Sequence, residues 1–90
     1  MFAVRFGDGA TGHATAFDGA VLECVVGIPQ APGRPVEVVL QLGDGPLTLQ
    51  TRSRGSRRVD EARFQVRLRP VALRRDERAR LQAAFPRPSG

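Results

Sequence analysis

As far as Val71 the chain alternates apolar and polar positions with a period of two, the pattern of strands that bury one face. Phe2, Val4 and Phe6 share one side of the first segment, with Ala3 and Arg5 on the other. Thr11 to Phe17 and Ala20 to Val26 flank Asp18-Gly19, a pair suited to the positive φ angles of a type I′ turn, so they predict a tight hairpin. In VEVVLQL, Val36, Val38, Leu40 and Leu42 face one way, and beyond a GDGP turn Leu47, Leu49 and Thr51 continue the inward side. In ARFQVRLRP, Ala62, Phe64, Val66 and Leu68 point inward, while Arg63, Gln65, Arg67 and Arg69 point outward.

Two stretches interrupt this pattern. GIPQAPGRP, residues 27–35, reads as a loop, because Pro29, Pro32 and Pro35 have no N–H to give to a ladder. RSRGSRRVDE is polar throughout and is expected to contain a mobile loop. After Val71 the period changes. Leu73, Glu77, Leu81 and Phe85 recur one helical turn apart with Ala84 beside them, which predicts a helix over 74–85. Asp76 and Glu77 suit the positive end of its dipole, Pro86 stops it, and 87–90 reads as a frayed tail. The expected fold is mainly β: one domain over residues 1–86, a small six-stranded antiparallel barrel closed at one end by a C-terminal helix. Closure removes the exposed strand edges that so short a β-protein could hardly protect otherwise.

Ninety residues suffice for this, since a domain of that size buries about two thirds of the surface that its unfolded chain exposes. The single cysteine excludes an internal disulfide and a Cys-rich zinc site, and it suits a reducing compartment. MFAVRFGDGA lacks the basic and apolar regions of a signal peptide, and no apolar run approaches the ~18 residues that cross a bilayer. A cytoplasmic protein without membrane insertion is therefore expected.

Charge is distributed unevenly. Residues 1–50 carry two arginines and five acids, a net of −3, whereas residues 51–90 carry twelve arginines and four acids, a net of +8. Every cation is arginine, whose planar fork suits carboxylates and phosphates.

The chemistry of an enzyme is harder to find. A two-residue turn at Asp18-Gly19 would set His13 directly opposite Cys24 on one face, a possible nucleophile and base. Cys24, however, alternates with Leu22 and Val26 and so belongs to the core, where a thiol acts as a small hydrophobe. One histidine, one cysteine and scattered acids have no metal-ligand spacing, and no Gly-rich loop precedes the helix to hold a nucleotide phosphate. No catalytic residue, metal or cofactor is expected.

The order of elements resembles a PilZ domain, the six-stranded barrel found in many bacterial receptors for cyclic di-GMP. The resemblance covers almost the whole chain: a strand and a hairpin ending in Gly19, AVL, a loop ending in Gly33, VEVVLQL, a Gly-Asp-Gly turn, LTLQTRSR, RFQVRLRPV and the helix RDERARLQAAF. The family's nucleotide motif, D/N-x-S-x-x-G, would place its glycine at Gly19, its serine at Ala16 and its Asp or Asn at Ala14. Both polar positions are alanine. The family's R-x-x-x-R arm before the first strand has no counterpart beyond Arg5. Losing charge-assisted contacts of roughly 1.5–3 kcal/mol each lowers affinity by about two to four orders of magnitude. The resemblance thus implies a regulatory adaptor that does not bind cyclic di-GMP in the usual way.

Arg63, Arg67 and Arg69 form an outward row that Arg52 and Arg54 can join, with Arg57 and Arg58 nearby. A solvated face is the simplest account of them. Clustered cations also suit nucleic acid, but the chain has no Trp or Tyr for base stacking, and most of its phenylalanines have core parity. Arginines spaced by four residues, such as Arg54 and Arg58, would serve a relocated cyclic di-GMP site. The reading favoured here is contact with a partner protein of a bacterial signalling or motility system. It would use the arginine row and the loop of Ile28, Pro29 and Pro32, whose stiff backbone loses little entropy on docking.

Overall fold

In the computed structural model, which describes residues 1–86, the chain forms a closed six-stranded antiparallel barrel and one C-terminal helix. The strands are β1 (Phe2–Phe6), β2 (Thr11–Phe17), β3 (Leu22–Val26), β4 (Pro35–Leu42), β5 (Gly45–Arg58) and β6 (Phe64–Pro70), and the helix α1 spans Arg75–Ala84. Around the barrel they run β1-β2-β3-β6-β5-β4, with β1 also paired to β4. This is the expected fold class, and the architecture is one shared with PilZ domains. The expected tail, 87–90, lies outside the described residues.

The period-two pattern becomes the core directly. Val4, Phe6, Leu22, Cys24, Val26, Val38, Leu40, Leu49, Val66 and Leu68 are buried inside the barrel, and Leu81 of α1 seals one end. Phe85 continues the seal by meeting Phe2 edge-on, with ring centroids 5.2 Å apart. At the start of α1 the Glu77 carboxylate accepts the Arg74 backbone N–H at 2.9 Å. Two arginines tie the helix to barrel turns: Arg78 donates to the Gly19 carbonyl, and Arg80 holds both Asp44 carboxylate oxygens and the Gly45 carbonyl.

Four local expectations need correction. The β2–β3 turn is longer than Asp18-Gly19: Phe17 pairs with Leu22, while Asp18 caps the intervening backbone by accepting from the N–H groups of Ala20 and Val21. Val21, outward by simple parity, is consequently buried. Pro35 is not excluded from the ladder but opens β4 opposite Arg52, because the first residue of a strand can lack an N–H without breaking a bond. RSRGSRRVDE holds more strand than expected, since β5 continues to Arg58 with a bulge between Ser53 and Ser56, and the loop is confined to residues 59–63. Finally, β6 begins at Phe64, which leaves Ala62 and Arg63 in the preceding turn.

Candidate functional site

The bulge in β5 builds the site. Arg54 and Gly55 together oppose the single residue Arg67, and Gly55 takes φ +110°, a left-handed conformation that favours glycine. The strand thereby outruns β4, and the proline loop folds against its extension. Gly33 N–H donates to the Ser53 carbonyl at 2.7 Å, and Ser53 N–H returns a bond to the Arg34 carbonyl at 2.8 Å. The hydroxyls of Ser53 and Ser56 both donate to the Gln30 carbonyl, and the Gln30 N–H donates to the Ser56 hydroxyl. The Gln30 side chain, 1% exposed, turns inward and donates to the Asp8 carboxylate at 2.9 Å. The loop is thus stitched to β5 and to the β1–β2 turn.

Between loop and sheet lies an open groove of ≈ 950 Å³. Pro29 and Pro32 form one wall, and Arg34, Arg54, Arg57 and Arg67 supply its positive charge. Their charge is weakly compensated. Arg67 Nε lies 3.7 Å from Glu23, Arg34 lies 3.9 Å from Asp8, and both guanidinium side chains are about half exposed. Arg57 donates to the neutral Gln65 amide at 2.9 Å, and among the described residues Arg54 has no partner. Exposed ion pairs this long contribute little, so the forks remain available to a ligand.

Arg54, Arg57, Arg67, Pro29 and Pro32 therefore share one groove, adjoined by Arg52 and Arg69, which oppose each other on the outer face. Arg52 reaches back to the Gly33 carbonyl at 3.1 Å. Two expected members stand apart: Arg63 is held by Asp60 at 2.6 Å in the turn before β6, and Arg58 lies over the Phe64 ring. Ile28 is exposed beside the groove but not in its lining. Arg34 was missed by sequence reasoning, because it sits in the acidic half of the chain and only the loop's fold brings it here.

The positions that the PilZ resemblance matches to the nucleotide motif lie elsewhere. Ala14 is wholly buried in the barrel. Ala16 lies with Phe17 beside Ala84 and Phe85 of the helix end. Gly19, at φ +99°, already gives its carbonyl to Arg78. No polar side chain occupies the two alanine positions.

Nor do His13 and Cys24 meet. The register shift between Ala14 and Ala16 sets Cys24 opposite Ala14 and His13 opposite Val25, so the two side chains point to opposite faces. Burial, with a smaller contribution from the Glu23 charge, pushes the Cys24 thiol up to about 12. Among the described residues no group of His, Cys, Asp or Glu is arranged to hold a metal ion, and no helix is long and apolar enough to cross a membrane. Comparison of the chain with models of known protein families, with curated proteins and with solved structures finds no match.

Proposed function

We propose that this chain is a PilZ-like regulatory adaptor of a bacterial cytoplasmic signalling or motility system, without enzymatic activity, which binds a partner protein through the arginine-lined groove. One observation carries the reading: the arginine strands and the proline loop, separate candidates in the sequence, line a single concave surface. A groove with a proline wall and several exposed, weakly paired guanidinium forks suits an acidic protein surface. Two alanines where the PilZ motif needs polar groups support an adaptor over a cyclic di-GMP receptor.

The test is capture of partners on the immobilised chain, their identification, and direct binding with the purified candidate. Arg54→Glu together with Arg67→Glu is expected to abolish binding while circular dichroism shows the barrel intact; undiminished binding would reject the groove. Calorimetric titration with cyclic di-GMP is expected to be flat, and a saturable heat would make the chain a receptor instead.

A further inference from the structure

The register of β5 and β6 narrows what the groove accepts, on the premise that the adaptor reading holds. Arg52 faces Arg69 directly, and Arg67 lies opposite the bulged residues Arg54 and Gly55. Along each strand the intervening residues, Ser53 and Leu68, are buried, so the arginines leave the same face at every second position. That spacing is about 6.6 Å. Beyond them Arg57 pairs with Gln65, and Pro29 and Pro32 wall this end. The outer face thus carries two rows of arginines whose backbone positions repeat as in an extended chain, with the Arg52 guanidinium turned to the Gly33 carbonyl. On the β3 side the row is bounded by Glu23, which opposes Arg67.

We propose that the partner docks an acidic segment in extended conformation, with Asp or Glu at every second residue, laid along the outer face of β5 and β6 and ending against the proline wall. Alternate carboxylates of an extended peptide recur at the spacing of the arginines, so one ligand conformation satisfies Arg52, Arg54, Arg67 and Arg69 together. A single-stranded nucleic acid would supply charge but gains its affinity from aromatic stacking. Phe6 and Phe17 are buried, Phe2 and Phe85 engage each other, and Phe64 lies under Arg58.

The test is fluorescence anisotropy of the native chain with two labelled peptides of equal composition. One alternates Glu and Thr, and the other gathers its glutamates in one block. The alternating peptide is expected to bind about tenfold more tightly, the gain from two more ion pairs in register. Arg54→Glu with Arg67→Glu should abolish this binding, whereas Arg75→Glu on the helix should leave it unchanged. Equal affinities that are lost in the groove variant would overturn the extended register and leave the adaptor groove standing. Failure of both peptides while the purified partner still binds would do the same. An oligothymidylate that binds more tightly than either peptide at matched salt would overturn both this inference and the adaptor reading.

Discussion

Arg52 of β5 and Arg69 of β6 stand directly opposite each other across the ladder, both exposed, with no acid between them. Like charges so placed destabilise a sheet by about 0.2–1 kcal/mol. Arg69→Glu converts the repulsion into an attractive pair and is expected to raise the melting temperature by a few degrees at low salt, about 4–8 °C per kcal/mol for a domain this size. The gain should shrink near 1 M salt, where the screening length falls to about 3 Å. An unchanged or lower melting temperature at low salt would show that the pair is not repulsive.

A second prediction concerns acid. The Gln30 amide is the main influence holding the Asp8 carboxyl below the usual aspartate range, with help from the Ala10 N–H and Arg34. A folded pKa below the unfolded value stabilises the protein above the unfolded value of about 3.9, and this is lost as pH falls through the folded one. Asp8→Asn is therefore expected to lower the urea midpoint near neutrality and to matter much less in acid below the folded pKa, where Asp8 is itself protonated. A variant equally destabilised at both pH values would show that the carboxylate charge is not what secures the loop.

The thiol supplies a third. Cys24 is fully buried and its pKa is about 12, so iodoacetamide near neutral pH meets neither an accessible nor an ionised sulfur. Labelling of the native protein is expected to be negligible and to appear only with unfolding in denaturant. Fast native labelling would restore Cys24 as a candidate nucleophile.

What the sequence made legible was periodicity. The alternation in VEVVLQL and FQVRLRP translated into buried and exposed faces residue by residue, and the change of period at Leu73 marked the helix, because burial acts on each position separately. Register was much less legible. The shift between Ala14 and Ala16 has no turn or glycine signal in the sequence, and the bulge at Arg54-Gly55 has only Gly55, which alone does not distinguish a bulge from a turn. One shift separated His13 from Cys24, and the other created the groove. Gln30 was passed over for the same reason: its buried amide is satisfied by Asp8, more than twenty residues away in sequence.

Gly12 gives a fourth prediction. A Cβ there would lie 1.8 Å from the Val25 carbonyl oxygen, so β2 must approach β3 without a side chain. Gly12→Ala is expected to cost at least the roughly 1–3 kcal/mol of an overpacked core. Gly43, in a turn with nothing near its missing Cβ, is the control, and Gly43→Ala should melt much closer to the native protein. Equal losses would mean that the close approach of β2 to β3 is not a constraint.

The helix raises the question of whether charge or burial fixes it to the barrel. Arg80 holds Asp44 with two hydrogen bonds, yet the Asp44 side chain is 66% exposed, and solvent screens such a pair strongly. Leu81, the next residue, is 0% exposed and completes the barrel core. Leu81→Ala removes this buried side chain and is expected to cost about 2–5 kcal/mol in denaturant unfolding. Asp44→Ala should cost far less, and less still at high salt. Since Phe2 meets Phe85 and Gly19 accepts from Arg78, a helix loosened by Leu81→Ala should also speed amide exchange in β1 and the β2–β3 turn, leaving the far end of β5 protected. If Asp44→Ala proved the more damaging, the helix would be held by its arginines and the apolar seal would be secondary.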